Sequence, residues 1–228
     1  MMNDTERHVR KFIYDTFLET SHPPLVQHIR DRFGIERDEV LAILKSLETH
    51  RQLTLIPGMD RIFMAHPFSA VITPFRARLR SGREYFINCS FDTLALHVML
   101  GGEPMNVSSF CHHTGRQIEI SLKDGAVKWM HPESTIVYLG IPAARWWEDI
   151  FNTCGNMFLF FGSQADLEDW LESNDVANPG EAVTIEQTLH MVRPVYQHKM
   201  DFDYERPTGE EMNRHFGSIG LTSAFWEF

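Results

Sequence analysis

A chain of 228 residues that is 43% hydrophobic and 23% charged has the make-up of a globular protein, with room for one large domain or two small ones, and disorder is excluded as its main state. Its net charge of −10 argues against a nucleic-acid binder held by phosphate contacts, and after Cys154 the only cations are Arg193, Lys199, Arg206 and Arg214. No run approaches the roughly 18 to 20 uninterrupted apolar residues of a membrane span, and a start containing Asp4, Glu6, Arg7 and His8 lacks the layout of a signal peptide, so a cytoplasmic protein is expected.

Over residues 5–18, Val9, Phe12, Ile13 and Phe17 recur at helical spacing until Ser21-His22-Pro23-Pro24 stops them. Residues 25–33 repeat the pattern, and a third helix after Gly34 turns Val40, Leu41, Leu44 and Leu47 inward. Residues 53–56, a Pro57-Gly58 turn and residues 61–64 then read as a hairpin. Three short helices and a hairpin describe a winged-helix-like module over residues 1–66. Its third helix sets Glu36, Asp38, Glu39 and Glu48 against only Arg37 and Lys45, the wrong sign for reading DNA, and a structural role is expected for the module.

The remaining 67–228 read as an α+β core with a mixed β-sheet and flanking helices. Residues 67–74 look like a linker. Phe75 to Leu79 alternates with Arg76 and Arg78, turns at Ser81-Gly82 and returns through Tyr85-Phe86-Ile87 to Cys89. Residues 93–100 read as a buried helix ended by Gly101-Gly102, followed by strands at 106–109, 117–122 and 135–139 with a Lys123-Asp124-Gly125 turn. Trp146-Trp147-Glu148-Asp149-Ile150 predicts a helical turn. Met157-Phe158-Leu159-Phe160-Phe161 is apolar without alternation, as in a central strand covered on both faces. Ser163 is placed to cap a helix reaching residue 171, and two more helices are expected over 185–196 and 209–216, broken by Pro194 and Pro207.

Three cysteines, an odd and sparse set, read in a reducing compartment as free thiols, ligands or nucleophiles rather than a disulfide framework; the plain alternative is a small buried hydrophobe. In Asn88-Cys89-Ser90-Phe91-Asp92 a thiol and a carboxylate three residues apart share one helical face. If Cys89 opens the helix, unpaired backbone N–H groups and the positive dipole end favour its thiolate. The charge of Asp92 opposes that ionisation, so its use would be to accept and return a proton, in surroundings buried enough by Phe91 and Leu94 to hold one near pH 7. Alternatively Asp92 only stabilises the helix dipole, by about 0.3–1 kcal/mol. Cys111 with His112 and His113 could contribute to a zinc or copper site, although no Cys-x-x-Cys spacing supports it.

The runs Asn88-Cys89-Ser90-Phe91-Asp92-Thr93-Leu94, Val107-Ser108-Ser109-Phe110-Cys111-His112-His113-Thr114-Gly115, Thr153-Cys154-Gly155-Asn156-Met157, Phe160-Phe161-Gly162-Ser163 and Glu168-Asp169-Trp170 resemble, in that order, the organomercurial (alkylmercury) lyase family. Glu211-Met212-Asn213-Arg214-His215-Phe216 is similar to its last helix, and the N-terminal module to its winged-helix-like start. The resemblance implies cleavage of a carbon–mercury bond to a hydrocarbon and Hg(II), with Cys89, Cys154 and Asp92 as the catalytic and mercury-binding residues and Cys111 as structural. It implies no organic cofactor, a small organometallic substrate, cellular thiols as co-substrates and handover of Hg(II) to those thiols or a mercuric reductase. Softness makes thiolates the natural ligands of that ion. The sequence departs from the family at Gly155, where some members have a second cysteine, and in an interval from Cys154 to Phe160-Phe161 one residue longer. Its tryptophans and its ending look more like a broader, lyase-like branch; Trp146 and Trp147 are either core or the lining of a pocket for an apolar organic group. Two competing readings remain, a thiol protein that binds Cu, Zn or Hg without cleavage and a metal-sensing transcriptional regulator.

Overall fold

A computed structural model of the protein describes residues 2–228. Helices α1 (Asp4–Thr20), α2 (Val26–Phe33) and α3 (Arg37–Thr49) and the hairpin of β1 (Thr54–Leu55) and β2 (Ile62–Ala65) stand in the expected order. The Asn3 side chain accepts from the Glu6 backbone N–H while the Glu6 carboxylate accepts from that of Asn3, a reciprocal cap that starts α1. Both cations of α3 are engaged, Arg37 with Asp60 and Lys45 with Glu48.

The segment expected to be a linker contains a strand, β3 (Phe68–Ser69), which pairs with β2 on one side and with β5 (Glu84–Ile87) on the other. Phe68 is fully buried, stacked on Phe17 at 5.1 Å and tilted against Tyr85 at 5.1 Å. Proline at both ends suggested a spacer, but the aromatic side chain between them fixes the segment to the core. One sheet therefore runs continuously in the order β1-β2-β3-β5-β4-β6-β7-β8, completed by β4 (Phe75–Leu79), β6 (Met105–Phe110), β7 (Gln117–Lys123) and β8 (Ala126–His131). Every pairing is antiparallel, not mixed as expected. Short turns join most consecutive strands, and such connections can make only antiparallel neighbours. The unexpected β8 lies open to solvent without the alternation that marks a half-buried strand, and its Trp129 is exposed.

A second antiparallel sheet has the order β10-β9-β11, from β9 (Ile136–Leu139), β10 (Phe158–Phe161) and the unforeseen β11 (Glu181–Thr184). The apolar run thus forms an edge strand rather than a central one. All four of its residues are buried because helices α4 (Ser90–Met99) and α6 (Gln164–Ser173) cover it. The Ser163 side chain caps α6 through the Asp166 N–H, as expected. Next to β10 come the single turn α5 (Ile150–Asn152) and a π-helical turn at Thr153–Met157.

Helix α4 is the centre of the molecule. Every residue from Ser90 to His97 is buried, and the helix packs against β4, β5, β10 and α7 (Ile185–Tyr196). Pro194 lies inside the last turn of α7 rather than ending it, and the helix continues through the buried Val195 and Tyr196. The chain closes with α8 (Gly209–Ser218).

Because Phe68 joins the N-terminal helices to the large sheet, Phe68→Ala should lower unfolding free energy by about 3–5 kcal/mol in a urea titration. A true linker residue would change it by less than about 0.5 kcal/mol.

Candidate active site

Cys89 is the N-cap of α4, where its extended backbone turns into the helix and its Sγ accepts the Asp92 backbone N–H at 3.4 Å. The sequence expectation of a helix-opening cysteine holds in geometry. It does not hold in ionisation. Burial pushes the Cys89 thiol well above its ordinary value, the thiol of Cys154 and the charge of Asp92 push the same way, and the single backbone N–H does not compensate. Cys89 is a thiol in the ligand-free protein.

Asp92, in the first turn of α4, is buried with only 2% of its surface exposed. Burial alone raises its pKa, but three donors outweigh it. His66 Nδ1 lies 3.1 Å from Oδ2, Tyr196 Oη donates to Oδ1 at 2.6 Å, and Asn88 Nδ2 donates to Oδ2 at 3.1 Å. The carboxyl is held below its ordinary value, so Asp92 rests as a carboxylate rather than as the proton-holding acid the sequence suggested. Tyr196, buried beside that charge, is pushed well above the ordinary phenol value and stays a donor.

Cys154 arrives from a separate part of the chain, on the π-helical turn after α5. A π turn takes up one residue more than an α turn, so the chain from Cys154 reaches β10 with a locally widened helix. Its thiol shares the cavity with that of Cys89, near enough for each to bear on the other's ionisation. The contact with Cys89 lowers its pKa, but burial and the charge of Asp92 prevail and raise it. Cys89, Asp92 and Cys154 line one cavity of about 40 Å³, walled by Phe91, Trp146, Phe158, Val195 and Met212. Trp146 and Trp147 both reach this cavity, and Trp146 also packs into the aromatic core against Phe91 and Phe158.

His66 completes the group. A ring nitrogen of His66, an oxygen of Asp92 and the sulfur of Cys154 all lie within 4.8 Å of one another, and no other three such side chains gather as closely among the described residues. The Tyr14 hydroxyl donates to the His66 carbonyl at 3.0 Å, so α1 holds this residue in place. The His66 Nε2 and Thr153 Oγ1 atoms, both on cavity-lining residues, are buried with no hydrogen-bond partner in the structure, as befits a site that meets a ligand. Neither His66 nor Tyr196 was picked out from sequence. Asn88, four residues before Asp92, carried the one local signal.

The Cys111-His112-His113 run does not converge. Cys111 Sγ points to Asp166 Oδ2 at 3.7 Å, and the His112 ring packs edge-on against Trp170. Cys111 is buried away from the cavity, in keeping with a packing role.

The family model for alkylmercury lyase, MerB, matches residues 68–197, more than half of the sequence. The chain belongs to the alkylmercury lyase family. An alkylmercury lyase of Staphylococcus epidermidis is 24% identical over 157 residues, 69% of this chain and 68% of the relative. One of Bacillus cereus is 24% identical over 159 residues, 69% of this chain and 66% of that protein. The chain thus spans about two thirds of the length of these curated relatives. A crystal structure of the mercury-bound form of MerB2 has a similar fold, with a TM-score of 0.67 and 20% identity over 88% of this chain and 93% of that one. This alkylmercury lyase fold contains no helix long and apolar enough to cross a membrane among the described residues.

The depressed pKa of Asp92 has a signed consequence for stability. Its contribution is fully present above the ordinary carboxyl value of 3.8 and is lost as pH falls through the lower folded value. Urea midpoints of the wild type should therefore drop on acidification below about pH 4, and the drop should be shallower in Asp92→Asn.

Proposed function

We propose that the protein is an organomercurial lyase, a reading carried by two thiols and an ionised carboxylate that share one buried, largely apolar cavity. The substrate is an organic group bonded to Hg(II), delivered with a second, exchangeable ligand. Mercury bonds to the Cys89 sulfur and displaces that ligand. Metal coordination deprotonates a thiol outright, so the proton that Asp92 could not draw from the ligand-free cysteine now passes to its carboxylate. Cys154 adds as the second sulfur and raises the electron density on carbon. The carbon–mercury bond breaks, its electron pair takes the proton from Asp92, and the hydrocarbon leaves. Two thiol protons are consumed, one in the hydrocarbon and one with the displaced ligand, and Hg(II) stays on two thiolates. Two small thiols in exchange remove it and return both protons to the cysteines.

His66, Asn88 and Tyr196 act on Asp92 rather than on mercury in this scheme. They keep the carboxylate charged, and hence with a free lone pair to take a proton, in a site too dry to solvate it. The enclosed space, roughly three times the 10–15 Å³ that a water needs, suits the metal and a small alkyl group.

A second reading, metal binding without bond cleavage, is favoured by one observation: the nitrogen, oxygen and sulfur donors of His66, Asp92 and Cys154 also suit a borderline ion such as Zn(II). A DNA-binding regulator finds no support in α3, whose cations are already paired.

Methane release from methylmercury in excess thiol separates these readings. Asp92→Ala should slow release about 10²- to 10⁴-fold, and Cys89→Ser should bring it below detection. Wild-type protein that binds methylmercury without evolving methane would leave only the binding reading. Unchanged release in both variants would sink the mechanism. Cys154→Ser should still take up one equivalent of methylmercury yet release methane at least about 10²-fold more slowly, as read by headspace chromatography.

A further inference from the structure

Of the residues lining the cavity, only Trp147, Ile150 and Arg206 are not buried, so the opening lies between them. Arg206 comes from the loop between α7 and α8, and its guanidinium lies over the Trp147 ring at 4.8 Å. Arg51, from the turn after α3, lies over the same ring at 5.3 Å. Neither side chain forms an ion pair or a hydrogen bond among the described residues. Other arginines of the chain also lack a carboxylate partner, but these two share a single ring at the edge of the cavity. Two cations gathered on one ring without a counter-charge repel each other; burial and the charge of Arg206 both hold the Arg51 pKa down. A cation–π contact does not cancel that repulsion, whereas a bound anion would.

The cavity holds the mercury end of a substrate deep inside, against Cys89, Cys154 and Asp92, so any larger organic group or carrier must project past Trp147. We propose that Arg206, assisted by Arg51, recognises a carboxylate at this mouth, so that the site prefers organomercurials bearing an anionic group remote from the metal. The guanidinium fork matches a carboxylate in geometry, and Trp147 supplies a flat apolar surface for the intervening carbons. The inference rests on the lyase reading for the mercury end. The carboxylate has two possible carriers, the organic group itself or the thiol that delivers the metal, and both present the same chemistry to Arg206.

The test compares ratios, so that a general loss of activity cancels. With β-mercaptoethanol as the only thiol, kcat/KM for para-carboxyphenylmercury should exceed that for phenylmercury by about ten- to a hundredfold, the range of a charge-assisted contact. Arg206→Gln should bring the ratio close to one, Arg51→Gln should lower it part-way, and Arg206→Glu should turn the preference toward para-trimethylammoniophenylmercury. In a parallel arm, methylmercury is offered with mercaptoacetate or with β-mercaptoethanol; a preference confined to this arm assigns the carboxylate to the carrier thiol. Ratios near one in both arms, or ratios unchanged in Arg206→Gln, overturn the proposal. If no substrate is cleaved, the lyase reading fails instead, and the same pairs are compared by competition in a β-mercaptoethanol buffer, read by tryptophan quenching. Equal affinities there overturn the carboxylate site on its own terms.

Discussion

A bare carboxylate at the buried start of a central helix is the constraint around which this protein is assembled. Removing Asp92 from water costs several kcal/mol after relaxation, and it stays charged only because donors from three separate segments reach it. Asn88 comes from the end of β5, Tyr196 from the end of α7 and His66 from the end of β2. A charge-assisted hydrogen bond contributes about 1.5–3 kcal/mol, so three of them are of the size needed to offset the burial. Loss of one donor leaves the others holding a charge they cannot fully solvate. The position of α4 between the sheet and α7 follows from this requirement as much as from its apolar surface.

The same constraint gives the N-terminal helices and hairpin a task. They supply His66 to the carboxylate and Arg51 to the rim, and Tyr14 of α1 fixes the His66 backbone. Pairing of β2 with β3 and of β3 with β5 makes the sheet continuous from the hairpin to the strand that leads into Cys89. A module whose outline suggests DNA reading therefore serves as one wall of a cavity. The acidic surface of α3 is no handicap to a part whose working residues face inward.

Local chemistry was legible in the sequence and tertiary chemistry was not. Cys89 and Asp92 could be read from spacing because both lie within one turn of a helix start, and the bounds of α7 followed from its apolar period. Cys154 entered only through resemblance to a family, since 64 intervening residues say nothing of where a sulfur comes to rest. His66 contacts Asp92 across 26 positions and Tyr196 across 104, beyond any periodicity argument. Burial explains the two errors of ionisation. A helix dipole acting on an exposed thiol lowers its pKa, but the sealed Cys89 sees desolvation first, then the Cys154 thiol and the charge of Asp92. Asp92 was expected to hold a proton because burial was foreseen and the three donors were not. Proline punctuation misled at β3, where one aromatic side chain outweighed two turn-forming residues.

Protonated thiols beside an ionised acid make a site that waits for its substrate. An ion must displace a proton from each sulfur to enter, and only one that binds thiolate strongly enough recovers that cost in a cavity this dry. Hard cations offered two thiols gain little, and Asp92 is already occupied by its three donors. Borderline ions such as Zn(II) find a better set if His66 turns its free nitrogen inward, which makes that residue the point at which selectivity for the softest metal is weakest. On the proposed mechanism the proton freed by a soft ion passes to Asp92, the one carboxylate among the residues lining the cavity, which then returns it to carbon. On that mechanism, keeping the thiols protonated until the metal arrives couples recognition to the proton transfer that completes the reaction.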